Sequence, residues 1–423
     1  MKKNRCIILL FLFCGFLLLS APRCLRAESS SDVAATQSQS AASGTAASPQ
    51  DASVNLTARA AVLIEGNTGT ILYEKNKDTE LVPASITKIM TLTLIFDAID
   101  SGKLSLSDSV TVSEHAASMG GSQVFLEAGE TQTVETMIKC ISIASANDAA
   151  VAMAEKIAGT EENFVKLMNE KARELNMVHT QFKNCNGLDD NIESGHYSSA
   201  YDVALMSREL VIKHPEISNY ATVWMDQITH KTKKGETQFG LTNTNKLVRY
   251  YDGITGLKTG STSKAKYCLS ATAKRNGVHL IAVIMAAPNH RVRFSEAQAL
   301  LDYGFANCSV YENKFENESF ENIPVKNGTP DSVPVAPPST FSHTFTGDYL
   351  PDEIEQKIQY RELTAPIKKG EEIGSIAFTY QGKSIGSVPL YAAQNVDRST
   401  YTDSLWKTAR TFFRLSQKEP VRE

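Results

Sequence analysis

The chain has 423 residues, 42% hydrophobic, 8% aromatic and 21% charged, a balance that excludes collagen-like, wholly disordered and polytopic membrane architectures. Its formal charge of −4 leaves no basic footprint for nucleic acid, and its length suits two or three domains. Residues 1–27 carry five positive charges and no acid, so the remainder holds 38 Lys+Arg against 47 Asp+Glu, a net of −9.

Lys2, Lys3 and Arg5 precede an apolar run from Ile7 to Leu19, and a small residue, Ala27, closes the segment. This pattern predicts a secretory signal over residues 1–27, since the apolar run is too short to span a bilayer. Cys24 raises the alternative of a lipoprotein anchor, but Pro22-Arg23 lacks the small residues that such processing prefers. Residues 28–55, rich in Ser and Ala, read as a tether with too little apolar surface to fold. Ala61–Ile64, a turn at Asn67-Thr68-Gly69 and Ile71–Tyr73 predict a hairpin.

Pro83 opens a helix whose apolar stretch runs from Ile86 to Ile99. A second helix covers about 134–144, and the next starts with Asp148 as its N-cap and stops at Gly159. Ser199 and Asp202 have capping-box spacing for a helix reaching Lys213. Strands follow at 254–262, 267–273 and 278–287, with a closing helix from Glu296 to Tyr303 stopped by Gly304. Strands at both sequence ends with helices between them predict one α/β (α+β) domain over 56–308. Residues 309–396 shift to Pro, Gly and short strands, a small all-β module.

Over 401–416, Leu405, Trp406, Ala409, Phe412 and Phe413 fall on one helical side, while Lys407, Arg410 and Arg414 fall within about 60° on the other. Residues 397–423 are therefore expected to form an amphipathic membrane anchor, with packing on the β module as the alternative. Cys140, Cys185, Cys268 and Cys308 are widely spaced without a CxxC and are expected to be free thiols.

Three short motifs carry chemistry. Ser85-Ile-Thr-Lys88 sets a hydroxyl and an amine on one helix face near its positive end, and a lysine desolvated beside another cation is a usable base. S-x-x-K alone is weak: about one or two copies are expected by chance, and Ser261-Thr-Ser-Lys264 is a second one. Ser145-Ala-Asn147 falls in a helix break, where capping is the plainer role. Lys258-Thr-Gly260 lies on a strand that suits an anionic extended substrate, with Gly260 admitting close backbone approach. In this order the motifs are the set used by penicillin-binding proteins and serine β-lactamases.

The segments "PASITKIMT", "SANDAAVAMAE", "FKNCNGLDD", "GHYSSAYDVALMSREL", "GLKTGST" and "HRVRFSEAQALLDYGF" resemble the low-molecular-mass D-alanyl-D-alanine carboxypeptidases of the penicillin-binding protein 5 type. "TAPIKKGEEIGSIAF" and "VPLYAA" resemble the β-domain that follows in that family. The resemblance implies a penicillin-binding-protein/β-lactamase-like fold with an antiparallel sheet, no cofactor and no metal. Its implied substrates are peptidoglycan stems ending in D-Ala-D-Ala, with β-lactams as covalent inhibitors and a location outside the cytoplasmic membrane. By resemblance, Ser85 is the nucleophile, Lys88 the general base and Ser145 a proton relay. Asn147, Lys258, Thr259 and Gly260 bind substrate, the backbone N–H groups of Ser85 and Ser261 form the oxyanion hole, and Arg293 backs the carboxylate site, with Arg291 as the rival arginine.

Other readings lack their residues. A class A β-lactamase needs a glutamate three residues before Leu175-Asn176, where Ala172 stands. Zinc peptidase motifs are missing, Glu193 and His196 forming only a lone pair, and no G-x-S-x-G elbow occurs. A non-enzymatic β-lactam receptor or wall scaffold is the remaining alternative, disfavoured by three intact motifs.

Overall fold

A computed structural model of the chain describes residues 54–413 apart from 191, 192, 234 and 317. The expected signal segment, nearly all of the tether and Arg414 lie outside the described residues.

A five-stranded antiparallel sheet organises the first domain, in the order Ile71–Lys75, Ala60–Glu65, Val278–Ala287, Lys266–Arg275, Ile254–Thr262. Both sequence ends supply its strands, as expected. Alternation divides the side chains between two cores. Val62, Ile64, Ile281, Val283 and Met285 face the helical region, while Ala61, Leu63, Leu280, Ala282 and Ile284 face the helix Val292–Asn307. Covering both faces is why Val278–Ala287 reads as an almost unbroken apolar run.

Gly304 lies inside that last helix instead of ending it. A Cβ there would come within 2.6 Å of Leu280 Cδ1 and 2.8 Å of Leu63 Cδ2, so glycine is needed for helix-to-sheet contact. The helix starts at Val292, earlier than expected, and Glu296 on its first turns accepts hydrogen bonds from Thr57 and Ala58.

The helices Lys88–Asp100, Val134–Ile143, Asn147–Ala158 and Ala200–Lys213 match the expected segments. Ser199 caps the last of these by accepting the Asp202 N–H at 3.1 Å. Asp148 is not an N-cap; it is the second residue of its helix, and its carboxylate accepts the N–H groups of Val124 and Leu126, both at 3.1 Å. Several elements have no expected counterpart, the longest being the helix Glu161–Glu174 and the hairpin Met225–Thr232/Gly235–Thr242. The hairpin strands are mostly polar and exposed, so they lack the apolar alternation that marks a strand. The four cysteines at 140, 185, 268 and 308 are free and buried.

Short strands from Cys308 onward build a β module with its own core around Phe341, Ile376, Phe378 and Leu390. Phe341 and Phe378 stack at 3.8 Å. The module docks on the first hairpin, where Thr68 and Thr344 hydroxyls meet at 2.6 Å. Asp397–Arg398 pairs with Gly328–Thr329, so the ladder reaches past residue 396. Beyond it the helix Tyr401–Phe413 holds one link to the module, Lys407 to Asp331 at 2.9 Å. Its Trp406 and Phe412 are 66% and 81% exposed, so the apolar side is not covered by the module. No helix among the described residues is long and apolar enough to cross a membrane.

Candidate active site

The chain turns sharply before the first long helix. Ala84 adopts a φ of 48° and a single 3-10 turn, Ala84–Thr87, runs into Lys88–Asp100. That turn sets the Lys88 amine 3.1 Å from Ser85 Oγ. Lys88 is fully buried and also donates to Asn147 Oδ1 at 2.5 Å and to the Asn186 carbonyl at 2.6 Å. Burial pulls its pKa down to about 7, against the opposing pull of Cys185 and Asp148. Desolvation was expected to act here together with a neighbouring cation; burial alone lowers the Lys88 pKa. The cation effect falls on Lys258, whose pKa is driven well down by burial first, then by Lys88 and Arg293.

Ser145 occupies the break between two helices at a φ of 63°, and its Oγ accepts from Lys258 Nζ at 2.8 Å. Asn147 opens the following helix and spans the cleft wall, its Nδ2 donating to the Gly120 carbonyl at 2.7 Å. Thus the first two motifs, some 60 residues apart, meet through Asn147, and the second meets the third through Ser145.

The third motif lies on Ile254–Thr262, an edge strand of the sheet. Lys258 is buried, and Thr259 Oγ1 donates to Thr244 Oγ1 at 2.7 Å. Gly260 corrects the expectation set for it. A Cβ there would stand 2.7 Å from the Pro83 carbonyl and 3.1 Å from Ile86 N, so the backbone it admits is the chain's own turn around Ser85. Ser261 is exposed on the same edge. Arg293 is buried and donates to the Gly260 carbonyl at 3.1 Å, whereas Arg291 is exposed, which decides between the two arginines. Burial lowers the Arg293 pKa, and its guanidinium lies 5.7 Å from the Tyr267 ring centroid.

Residues with no assigned role also build the site. The loop from Phe182 to Asp190 wraps Lys88: Asn186 accepts from the amine, and the Cys185 carbonyl accepts from Thr91. Gly187, at a φ of 85°, presses on the nucleophile turn; a Cβ there would be 1.9 Å from the Ala84 carbonyl oxygen. Asp189 ties the loop to the edge strand, accepting from Thr262 Oγ1 at 2.6 Å. His196 sits behind the turn. Its Nδ1 accepts the Lys183 N–H at 3.1 Å, so Nε2–H donates to Thr87 Oγ1 at 2.9 Å. Burial lowers the His196 pKa to about 4, which favours the neutral ring, and its two hydrogen bonds brace Lys183 against Thr87. The string "FKNCNGLDD" was the available signal, although nothing in it names a chemical task.

A hydroxyl beside a buried amine of pKa about 7, at a helix start and facing a strand edge, is an arrangement suited to serine acyl transfer. The comparisons then give the family. Residues 44–289 match the D-alanyl-D-alanine carboxypeptidase family, and residues 312–398 match the C-terminal domain of penicillin-binding protein 5. The chain belongs to the D-alanyl-D-alanine carboxypeptidase family of serine peptidases.

It is 42% identical over 353 residues to D-alanyl-D-alanine carboxypeptidase DacF of Bacillus subtilis, covering 83% of this chain and 89% of that protein. It is 34% identical to DacC of Escherichia coli, covering 82% and 86%. Among solved structures, penicillin binding protein 5 from Haemophilus influenzae superposes with a TM-score of 0.69 at 30% identity, covering 82% of this chain and all of that one.

Proposed function

We propose that this chain is a serine D,D-carboxypeptidase that removes the terminal D-alanine from peptidoglycan pentapeptide stems. The observation that carries the proposal is the fully buried Lys88 amine, 3.1 Å from Ser85 Oγ and bonded to Asn147. The names of its relatives support the substrate class.

The substrate adds as a strand along the open edge of Ile254–Thr262, its terminal carboxylate near Lys258 and Thr259. Lys88 disfavours charge on Lys258. The incoming carboxylate favours the ammonium form of Lys258 and so leaves Lys88 neutral. Lys88 takes the Ser85 proton while Oγ bonds to the carbonyl carbon of the penultimate D-alanine. The backbone N–H groups of Ser85 and Ser261 hold the developing oxyanion, with the helix start adding its positive end. As the C–N bond breaks, Ser145, bonded to Lys258, gives its proton to the leaving amine and takes in its place the proton Lys88 had received, which returns Lys88 to neutral. Water then attacks the ester with Lys88 again as base, releasing the shortened stem.

Asn147 holds the substrate amide and fixes the Lys88 amine through their shared hydrogen bond. Arg293 supports the site from behind through the Gly260 carbonyl. The same serine takes β-lactams, whose acyl-enzyme persists. Ala172 is buried in the helix Glu161–Glu174, so the carboxylate a class A β-lactamase uses for deacylation has no counterpart there.

The chain organisation belongs to the same proposal. Residues 1–27 direct export, 28–55 form a tether, 56–308 the peptidase, 309–396 the β module and 397–423 an anchor on the outer face of the cytoplasmic membrane. The uncovered Trp406 and Phe412 support the anchor. Incubation with pentapeptide muropeptides, read by mass, tests the activity: loss of one alanine is expected, and unchanged stems refute it. Truncation after Arg398 spares the last strand and should release the mature protein from membranes; undiminished membrane binding would refute the anchor.

A further inference from the structure

The end of the nucleophile helix furthest from Ser85 carries a second constellation, unconnected with acyl transfer. Asp100 closes the helix Lys88–Asp100, His214 follows the helix Ala200–Lys213, and Glu216 stands in the next turn. One ligand atom from each lies within 4.8 Å of the others.

His214 is fully buried and stacked on Phe96 at 5.6 Å. Its Nε2 lies 3.1 Å from Asp97 Oδ1, and a carboxylate only accepts, so Nε2 carries the hydrogen. Asp97 is fully committed, since Lys171 at 2.9 Å and Lys213 also bond to it. In the neutral ring the other nitrogen is then a lone pair. Nδ1 is buried and makes no hydrogen bond, although Asp100 Oδ2 lies 3.0 Å away and Glu216 Oε1 4.0 Å away. Three acceptors thus converge, and among the described residues no lysine or arginine forms an ion pair with Asp100 or Glu216.

We propose that Asp100, His214 and Glu216 bind a divalent first-row transition cation, Zn2+ or Mn2+. A carboxylate holding the far nitrogen of a histidine is the arrangement that orients a metal-ligating imidazole. A cation about 2.1 Å from both Nδ1 and Asp100 Oδ2 would subtend roughly 90° at their spacing, and a small approach of the Glu216 side chain completes a facial set. Two helix C-termini, each carrying partial negative charge, end at the site and favour a cation. Asp100 and Glu216 side chains are 51% and 43% exposed, leaving water positions open. The nitrogen donor selects against Mg2+. The bound cation clamps the distal ends of the two helices and takes no part in the acyl-transfer reading, on which it does not depend.

The test uses tag-free full chain stripped with chelator, then titrated with Zn2+ or Mn2+ under equilibrium dialysis, with melting temperature followed in parallel. Wild type should bind one more equivalent than the Asp100→Asn/Glu216→Gln double variant. At hundredfold excess over Kd its melting temperature should rise by roughly 3–5 °C, a shift lost in the variant. Each single substitution should weaken binding at least about tenfold. Penicillin labelling of all variants confirms that they are folded; should the double variant fail to fold, exposed Glu216→Gln carries the comparison alone. Equal stoichiometry and equal melting shift in wild type and variant would overturn the site.

Discussion

Ser85 and Lys88 share their spacing with Ser261 and Lys264, but the two pairs sit in opposite surroundings. The first pair opens a buried helix; its amine is enclosed by Asn147 and Asn186 and loses its proton near neutrality. The second closes an edge strand. Ser261 is exposed there, and Lys264 is exposed with its amine on the Asp189 carbonyl at 3.0 Å. Three-residue spacing brings side chains together on a helix but not along a strand, and desolvation separates the two amines further. A motif of four residues therefore specifies chemistry only when the fold supplies dryness and a second set of acceptors.

The largest effect should come from exchanging the two serines' fates. Ser85→Ala should abolish covalent labelling by a fluorescent penicillin, a loss of at least about 10⁴-fold in acylation rate, whereas Ser261→Ala should retain labelling because only its backbone N–H is used. Labelling that survives Ser85→Ala would reverse the assignment. For the lysines, Lys88→Ala should slow acylation by about 10³-fold and Lys264→Ala by less than about tenfold, measured by stopped-flow with a chromogenic β-lactam. Comparable losses in both would break the contrast.

Gly187→Ala probes the enclosure directly. Its Cβ would overlap the Ala84 carbonyl, so the nucleophile turn must shift; acylation should drop about 10²-fold and stability by about 1–3 kcal/mol in denaturant titration. The smallest expected effect is on pH. Lys88 accepts a proton only when neutral, so the acylation rate should rise about tenfold per pH unit below about 7 and level above it. A flat profile from pH 5 to 8 would mean that the amine of Lys88 is not the base.

Much of this was legible in the chain. Periodicity and caps placed the strands Ile254–Thr262 and Val278–Ala287 and the helix Ala200–Lys213, because their apolar spacing and turn residues are local. The same local reasoning failed for Gly304 and Asp148. A glycine that lets a helix touch Leu280 and a carboxylate that holds a loop at Val124 look like an ordinary stop and an ordinary cap. The hairpin Met225–Thr232/Gly235–Thr242 escaped for the opposite reason, having too few apolar residues to show a period.

By itself, then, the sequence determined the family motifs and their order and which residues to propose for the chemistry, since motif, cap and apolar period are written within a few positions. Only the tertiary structure decided how dry Lys88 is, that Arg293 and not Arg291 turns inward, and that Asn186 and Gly187 complete the enclosure. Desolvation and hydrogen-bond closure are properties of the surroundings, assembled here from residues 33 to 113 positions apart, and no short window of sequence contains them.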